Sequence, residues 1–231
     1  MNKSPLLAAK YLLHDISDVI APPRCIGCLQ ESSWLCSPCQ QRAATEYRRW
    51  QNVKHPKPPA SLTKLISAGA YHTPALKRGI AWLKFKSVRP VASVLAELML
   101  PSLEQIRPLA ELREEAVLVP LPLHQARLAQ RGFNQAEALA TELALLSDIP
   151  IAHLLTRQRA TLRQTNLPST LRRQNVSRAF SVSSLIPNHQ YQIAILIDDV
   201  TTTGATVAEA ARTLREAGAR GSIYGVSVAR G

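Results

Sequence analysis

Two adjacent carboxylates at the end of an apolar run carry the most specific chemistry in this sequence. The run Ile193-Ala-Ile-Leu-Ile197 is short, β-branched and uncharged, the composition of a strand buried on both faces. Asp198 and Asp199 follow at once, then Val200, then the hydroxyl-rich loop Thr201-Thr202-Thr203-Gly204-Ala205-Thr206. A helical pattern starts directly behind it, at Val207, Ala208, Ala211 and Leu214. Backbone N–H groups and hydroxyls of such a loop can turn toward a phosphate, and the helix N-terminus adds its positive dipole end. Gly204 lets the backbone approach closely because it has no Cβ. The aspartates then face sugar hydroxyls or an attached Mg²⁺, for which oxygen ligands are natural partners. The stretch reads as a site for a phosphorylated sugar. A buried strand with an Asp-rich helix cap would explain one acid and one threonine, but not two adjacent acids and so dense a hydroxyl loop.

A second chemical cluster lies near the other end. All four cysteines fall in Cys25-Ile-Gly-Cys28 and Cys36-Ser-Pro-Cys39. Two such knuckles can supply four thiolates to a tetrahedral Zn²⁺, and Gly27 and Pro38 suit the tight turns. Four protein ligands leave no open coordination position, so the zinc is expected to be structural. A redox dithiol pair is the alternative, but neither motif sits in a thioredoxin-like strand–helix context.

These residues need a scaffold, and the 231-residue chain has room for one domain plus a small appendage. A hydrophobic fraction of 46% supports a packed core, and the formal charge of +12 points to a polyanion partner: phosphates in a pocket or a nucleic-acid backbone along a groove. An aromatic content of 5% argues against a large base-stacking platform. No apolar run approaches the ~20 residues of a membrane helix. Lys3, Lys10, His14, Asp15 and Asp18 interrupt what a signal peptide would keep apolar, so a cytoplasmic location is expected. Leu6, Leu7, Tyr11, Leu12 and Ile16 instead suggest an amphipathic helix docked on the body.

Along the chain, the basic segment 40–60 ends in Pro56, Pro58 and Pro59, where the domain boundary is placed. Residues 65–71 read as a strand, 74–86 as a helix and 91–100 as a second helix stopped by Pro101. Lys84 and Lys86 are read either as solvated or as lining a phosphate pocket. A further strand, 116–123, leads into His124, Arg127 and Arg131; the two arginines lie four apart and share a helical face, as a fork for phosphate or as a solvated basic turn. Gly132 breaks that turn and Asn134 caps the next helix. Residues 156–180 lose apolar periodicity and carry Arg157, Arg159, Arg163, Gln164 and Arg172. They suit either a hood closing over a substrate or a surface tracking nucleic acid. A helix over 205–217 and a final strand over 222–229 complete the reading.

The acid pair followed by T-T-T-G-A-T resembles the phosphoribosyl pyrophosphate (PRPP) loop of type I phosphoribosyltransferases. The double C-x-x-C, Tyr71 with Leu83-Lys-Phe85, V-P-L-P-L-H-x-x-R-x-x-x-R-G-F-N-Q over 119–135 and T-x-x-Q-x-x-L-x-x-x-x-R-x-x-N-V-x-x-A-F occur in that order before it. Taken together the chain resembles the ComF family of competence-associated, phosphoribosyltransferase-like proteins. That resemblance implies an α/β fold, a parallel sheet flanked by helices, with an N-terminal helix and four-cysteine zinc module over 1–58 and the transferase-like domain over 59–231. It also implies a link to DNA uptake in natural transformation or to DNA utilisation.

Three functional expectations follow. In the first, PRPP and Mg²⁺ bind at Asp198 and Asp199, Thr201 to Thr206 hold the 5′-phosphate, Arg127 and Arg131 meet pyrophosphate, and phosphoribose passes to an acceptor. Some transferases place an Asp base two residues before the loop glycine; Thr202 stands there, which leaves His124 as the candidate to abstract a proton. In the second, the chain is a non-catalytic competence factor that binds single-stranded DNA or a helicase-like partner, with the PRPP site a sensor or remnant. A structural adaptor organised by the zinc module is a third.

Overall fold

The computed structural model describes residues 23–85, 90–159, 178–183 and 191–231. The expected N-terminal helix, Lys86, Arg163, Gln164 and Arg172 lie outside the described residues. In order, the elements are α1 (Ser37–Gln51), β1 (Lys64–Ser67), α2 (Pro74–Phe85), α3 (Val91–Glu104), α4 (Leu109–Glu115), β2 (Ala116–Pro120), α5 (Gln125–Arg131) and α6 (Gln135–Ser147). Then come β3 (Leu155–Arg157), β4 (Phe180–Val182), β5 (Ile193–Thr201), α7 (Ala205–Glu216) and β6 (Ser222–Arg230).

The main sheet has the order β1-β6-β5-β2, with every pairing parallel. Its alternation explains the two apolar layers. Ile193, Ile195 and Ile197 face one core, shared with Leu95 and Met99 of α3 and Leu139 and Leu143 of α6. Leu196 faces the other, with Val117, Val119 and Val207, Ala210 and Leu214 of α7. A parallel strand covered on both sides has no polar face to spare, which is why β5 reads as a continuous apolar run. β3 and β4 form a separate antiparallel pair, and their Leu155 and Phe180 pack into the second core.

Several expectations shift. Pro101 does not stop α3; the helix runs on to Glu104 because Ser102 and Leu103 are wholly buried against the core, while the ring removes one N–H only in the closing turn. α4 has no counterpart in the sequence reading, since its seven residues bury only Leu112. The strand expected over 116–123 ends at Pro120. β5 runs past the apolar run to Thr201, so both aspartates sit on the strand itself.

The cysteine segment packs directly on this body. Ile26, between the first two cysteines, is fully buried in the same core as Leu95 and Ile80. A Cβ on Gly79 would come within 3.2 Å of Ile26 and 2.9 Å of Leu95, so only glycine gives this side chain its seat. Arg78 donates to the carbonyls of Ile26 and of Gly27, the latter at 2.9 Å. Trp34 meets Trp82 edge-on at 6.2 Å between ring centres.

Candidate functional site

The carboxyl ends of β1, β2 and β5 open into one cleft of about 290 Å³. Tyr71 follows β1, Leu121 to Leu123 follow β2, and Asp198, Asp199, Thr202 and Thr206 belong to β5 and the start of α7. Open parallel sheets bind ligands at this edge. α2 brings Lys84 to the cleft, α5 brings Arg127 and Arg131, and β3 brings Arg157. The charged lining is therefore Lys84, Arg127, Arg131 and Arg157 against Asp198 and Asp199.

Neighbouring positions on β5 point to opposite faces, which separates the two acids. Asp199 is 8% exposed and forms an ion pair with Lys84 Nζ at 2.8 Å. Asp198 stays half-buried and accepts a hydrogen bond from the Asp199 N–H at 2.8 Å. Burial, then the charge of Asp199, push the Asp198 carboxyl up to about 7; Lys84 and Arg157 only partly offset this. Burial, then Arg127 beside it, push the Arg157 guanidinium below its ordinary value. Cations crowded enough to oppose one another favour an anion between them.

The loop before α7 turns at its glycine. Gly204 caps α7 with φ of 77°, a left-handed conformation that side chains resist, and a Cβ there would meet Leu65 at 3.0 Å. Thr203 Oγ1 accepts from the Ala205 N–H at 3.4 Å. The buried hydroxyls of Thr201 and Thr202 find no hydrogen-bond partner among the described residues. Unsatisfied buried hydroxyls at a loop before a helix are suited to an incoming acceptor such as phosphate.

The structure gathers most of the residues singled out in the sequence and relocates others. Arg131 lies 5.9 Å above the Phe85 ring and donates to Gln135 at 2.8 Å. Arg157, assigned by sequence to a hood or a nucleic-acid surface, lines the cleft and stacks on Phe180 at 5.3 Å. Arg159 is exposed and outside the cleft lining. His124, the candidate base, is the N-cap of α5, where its Nδ1 accepts from the Ala126 N–H at 3.3 Å, and it is not among the residues that line the cleft. Lys84, left open between solvent and pocket, is committed to Asp199. Tyr71, Phe85, Asn134 and Gln135 also line the cleft. All four fall in the motifs that carry the family resemblance, but their meeting in one cleft depends on which strand ends come together.

No family model matches the chain. "Competence protein F" of Haemophilus influenzae is 30% identical over 197 residues, covering 84% of this chain and 85% of that protein. The chain belongs to the ComF family. A second ComF-type relative, "DNA utilization protein YhgH" of Salmonella typhimurium, is 33% identical over 196 residues, with 84% of each chain covered. "Competence protein ComFC" of Bacillus subtilis is 34% identical over 118 residues, about half of either chain.

In this ComF protein the four thiols are set to hold a metal ion. Their Sγ atoms lie within 4.8 Å of one another, with Cys25–Cys36 at 3.6 Å and Cys28–Cys36 at 3.7 Å. Thiolates about 2.3 Å from a tetrahedral zinc would be about 3.8 Å apart, so the donor set fits that ion. Cys36 caps α1 and Cys39 lies in its first turn, near the positive end of the helix. Burial opposes ionisation of Cys25, but the N–H groups of Cys36, Cys28 and Gly27 prevail and bring it down to about 6. Burial, then the neighbouring thiols, push Cys39 up to about 12. Sulfurs this close ionise together only around a cation. Among the described residues no helix is long and apolar enough to cross a membrane.

Proposed function

We propose that this chain binds PRPP with Mg²⁺ in the cleft and serves DNA uptake or DNA utilisation. One observation carries the reading: the acid pair at the end of β5 and the loop residues Thr202 and Thr206 before and at the start of α7 meet in a cleft whose other charges are all cationic. In this reading Asp198 and Asp199 receive the ribose hydroxyls. Backbone N–H groups and hydroxyls from Thr201 to Thr206 hold the 5′-phosphate. Arg127, Arg131 and Arg157 face pyrophosphate and stabilise the charge that grows on it as its bond to the ribose C1 breaks and the acceptor bonds to that carbon, while Lys84 stays paired with Asp199. Mg²⁺ belongs with the aspartates and the diphosphate, where it neutralises negative charge.

The names of the relatives support the DNA role, and the cysteine geometry supports structural Zn²⁺ at Cys25, Cys28, Cys36 and Cys39, which we assign to an N-terminal module over 1–58 ahead of a transferase-like domain over 59–231. Calorimetric titration of the zinc-loaded protein with PRPP and Mg²⁺ tests the site. Saturable binding that Asp198→Asn weakens at least tenfold is expected, about 1.4 kcal/mol or more. Equal binding by both proteins, or by neither, overturns the assignment. The alternative, a non-catalytic competence factor that binds single-stranded DNA or a helicase-like partner, turns over no PRPP with any acceptor, and it keeps PRPP binding where the site is a sensor and loses it where the site is a remnant.

A further inference from the structure

A second concave surface lies outside the cleft, on the far side of the loop. The C-terminal end of α1 and the connector behind it cover the free edge of β1, pinned where Gln51 donates to the Ser67 carbonyl at 3.3 Å. Between connector, β1 and β6 lie two adjoining hollows of about 360 and 590 Å³. Trp50, His55, Lys57 and Arg230 line both, and no Asp or Glu side chain lines either. Thr202 and Thr203 form a wall of the larger, and Thr202 also lines the cleft, so one loop separates the two sites.

Three observations give this surface its chemistry. From Gln40 to Lys64 the chain carries Arg42, Arg48, Arg49, Lys54, Lys57 and Lys64 against Glu46 alone. Arg48, Arg49, Lys54 and Lys57 are exposed, and none pairs with a carboxylate among the described residues. Arg230 is half-buried and makes no side-chain hydrogen bond or ion pair among the described residues. A guanidinium so placed lacks an anion. Beside it the Trp50 indole packs on His55 with ring centres 4.4 Å apart, and the His55 ring is held to the Trp50 carbonyl at 3.1 Å. An unneutralised cationic track passing a fixed indole is the combination that follows a phosphate backbone and takes an unstacked base. A duplex would not present its base faces to Trp50.

We propose that the end of α1, the connector to β1 and Arg230 form a seat for single-stranded nucleic acid, running up to the back of the loop before α7. The inference rests on the DNA role proposed above but moves the contact surface away from Arg157 and Arg159. Lys57 and the arginines of α1 contact phosphates, Arg230 takes one phosphate in the hollow, and Trp50 stacks a base.

The test is fluorescence anisotropy of a labelled oligothymidylate with the zinc-loaded full chain over a range of salt. The variants are Arg49→Gln/Lys54→Gln/Lys57→Gln, whose changes are all at exposed positions, and Trp50→Leu. The triple variant should bind at least tenfold more weakly near ~0.1 M salt, and its log–log salt slope should fall by about 2. Trp50→Leu should weaken binding without changing the slope, and should leave binding of inorganic polyphosphate unaltered. Calorimetry with PRPP should give the same affinity for the triple variant as for the parent chain. If the parent binds no oligothymidylate, the DNA role and this surface both fail. If the parent binds and the triple variant matches it, the surface fails and the DNA role stands. Equal binding of duplex, or a polyphosphate affinity equal to that of oligothymidylate with no effect of Trp50→Leu, overturns the single-strand assignment.

Discussion

The cysteine cluster and the cleft are both concentrations of polar groups against a core, but they are finished to different degrees. In the cluster, four sulfurs converge within 4.8 Å and their surroundings are saturated: N–H groups of Gly27 and Cys36 point at Cys25 Sγ, and Arg78 grips the knuckle carbonyls. In the cleft, Thr201 and Thr202 hydroxyls lack partners, Asp198 is held near neutrality, and Arg127 and Arg157 crowd each other. A closed donor set stabilises a fold; an open one of mixed charge suits a ligand. α2 touches both, with Arg78 at the knuckle and Lys84 in the cleft.

The largest expected effect lies on the closed side. Cys39→Ser, or chelation of the zinc-loaded chain, should release the knuckle and with it the buried Ile26. Loss of about 5 kcal/mol corresponds to a drop on the order of 10–20 °C in Tm for a chain of this size. Thermal unfolding followed with metal content checks this, and an unchanged Tm in metal-free protein would make the cluster no more than decoration.

Next in size is the pair inside the cleft. Lys84→Met leaves Asp199 buried beside Asp198 without its partner, at a cost of about 3 kcal/mol, the lower end of such losses because the carboxyl can take a proton. Lys84→Met combined with Asp199→Asn should recover part of that loss in denaturant unfolding. Additive losses would show that the pair is not coupled.

A smaller effect depends on pH. The folded pKa of Asp198, about 7, lies above its unfolded value of about 3.9. Between those values the native chain binds more protons than the unfolded one, so this group's contribution to stability falls as pH rises. Asp198→Asn should therefore gain stability over the parent chain at pH 8 relative to pH 5, read as a growing difference in Tm. A constant difference across that range contradicts the pKa shift. The smallest effect is expected from His124→Ala, which removes the cap of a short exposed helix for about 1 kcal/mol or less and leaves PRPP affinity unchanged. A tenfold loss of PRPP affinity in that variant would return His124 to the site.

How much could be read in advance differed with range along the chain. The cysteine cluster, β5 with its acids, the glycine before α7 and the cap at Asn134 were legible because each is built from contiguous residues with their own backbone requirement. Arg157 was left open between a hood and a nucleic-acid surface because an arginine in a polar stretch carries no sign of where its strand docks. Lys84 remained ambiguous for a related reason: its partner is on β5, far along the chain. His124 looked poised for chemistry by sitting at a strand end, yet the turn into α5 engages its ring locally.

By itself, then, the sequence determined the elements and the chemical types: an apolar strand ending in two acids, a hydroxyl-rich loop with one glycine before a helix, and four sulfurs at knuckle spacing. Hydrophobic periodicity, φ preference and ligand spacing are local properties, written in consecutive residues. Only the tertiary structure decided that Lys84, Arg127 and Arg157 share a cleft with the acids, that Ile26 ties the cysteines to the core, and that Trp50 and Arg230 meet behind the loop. Those outcomes depend on strand order β1-β6-β5-β2, which brings together residues from opposite ends of the chain. Local patterns do not encode that order, because long-range packing of both sheet faces selects it.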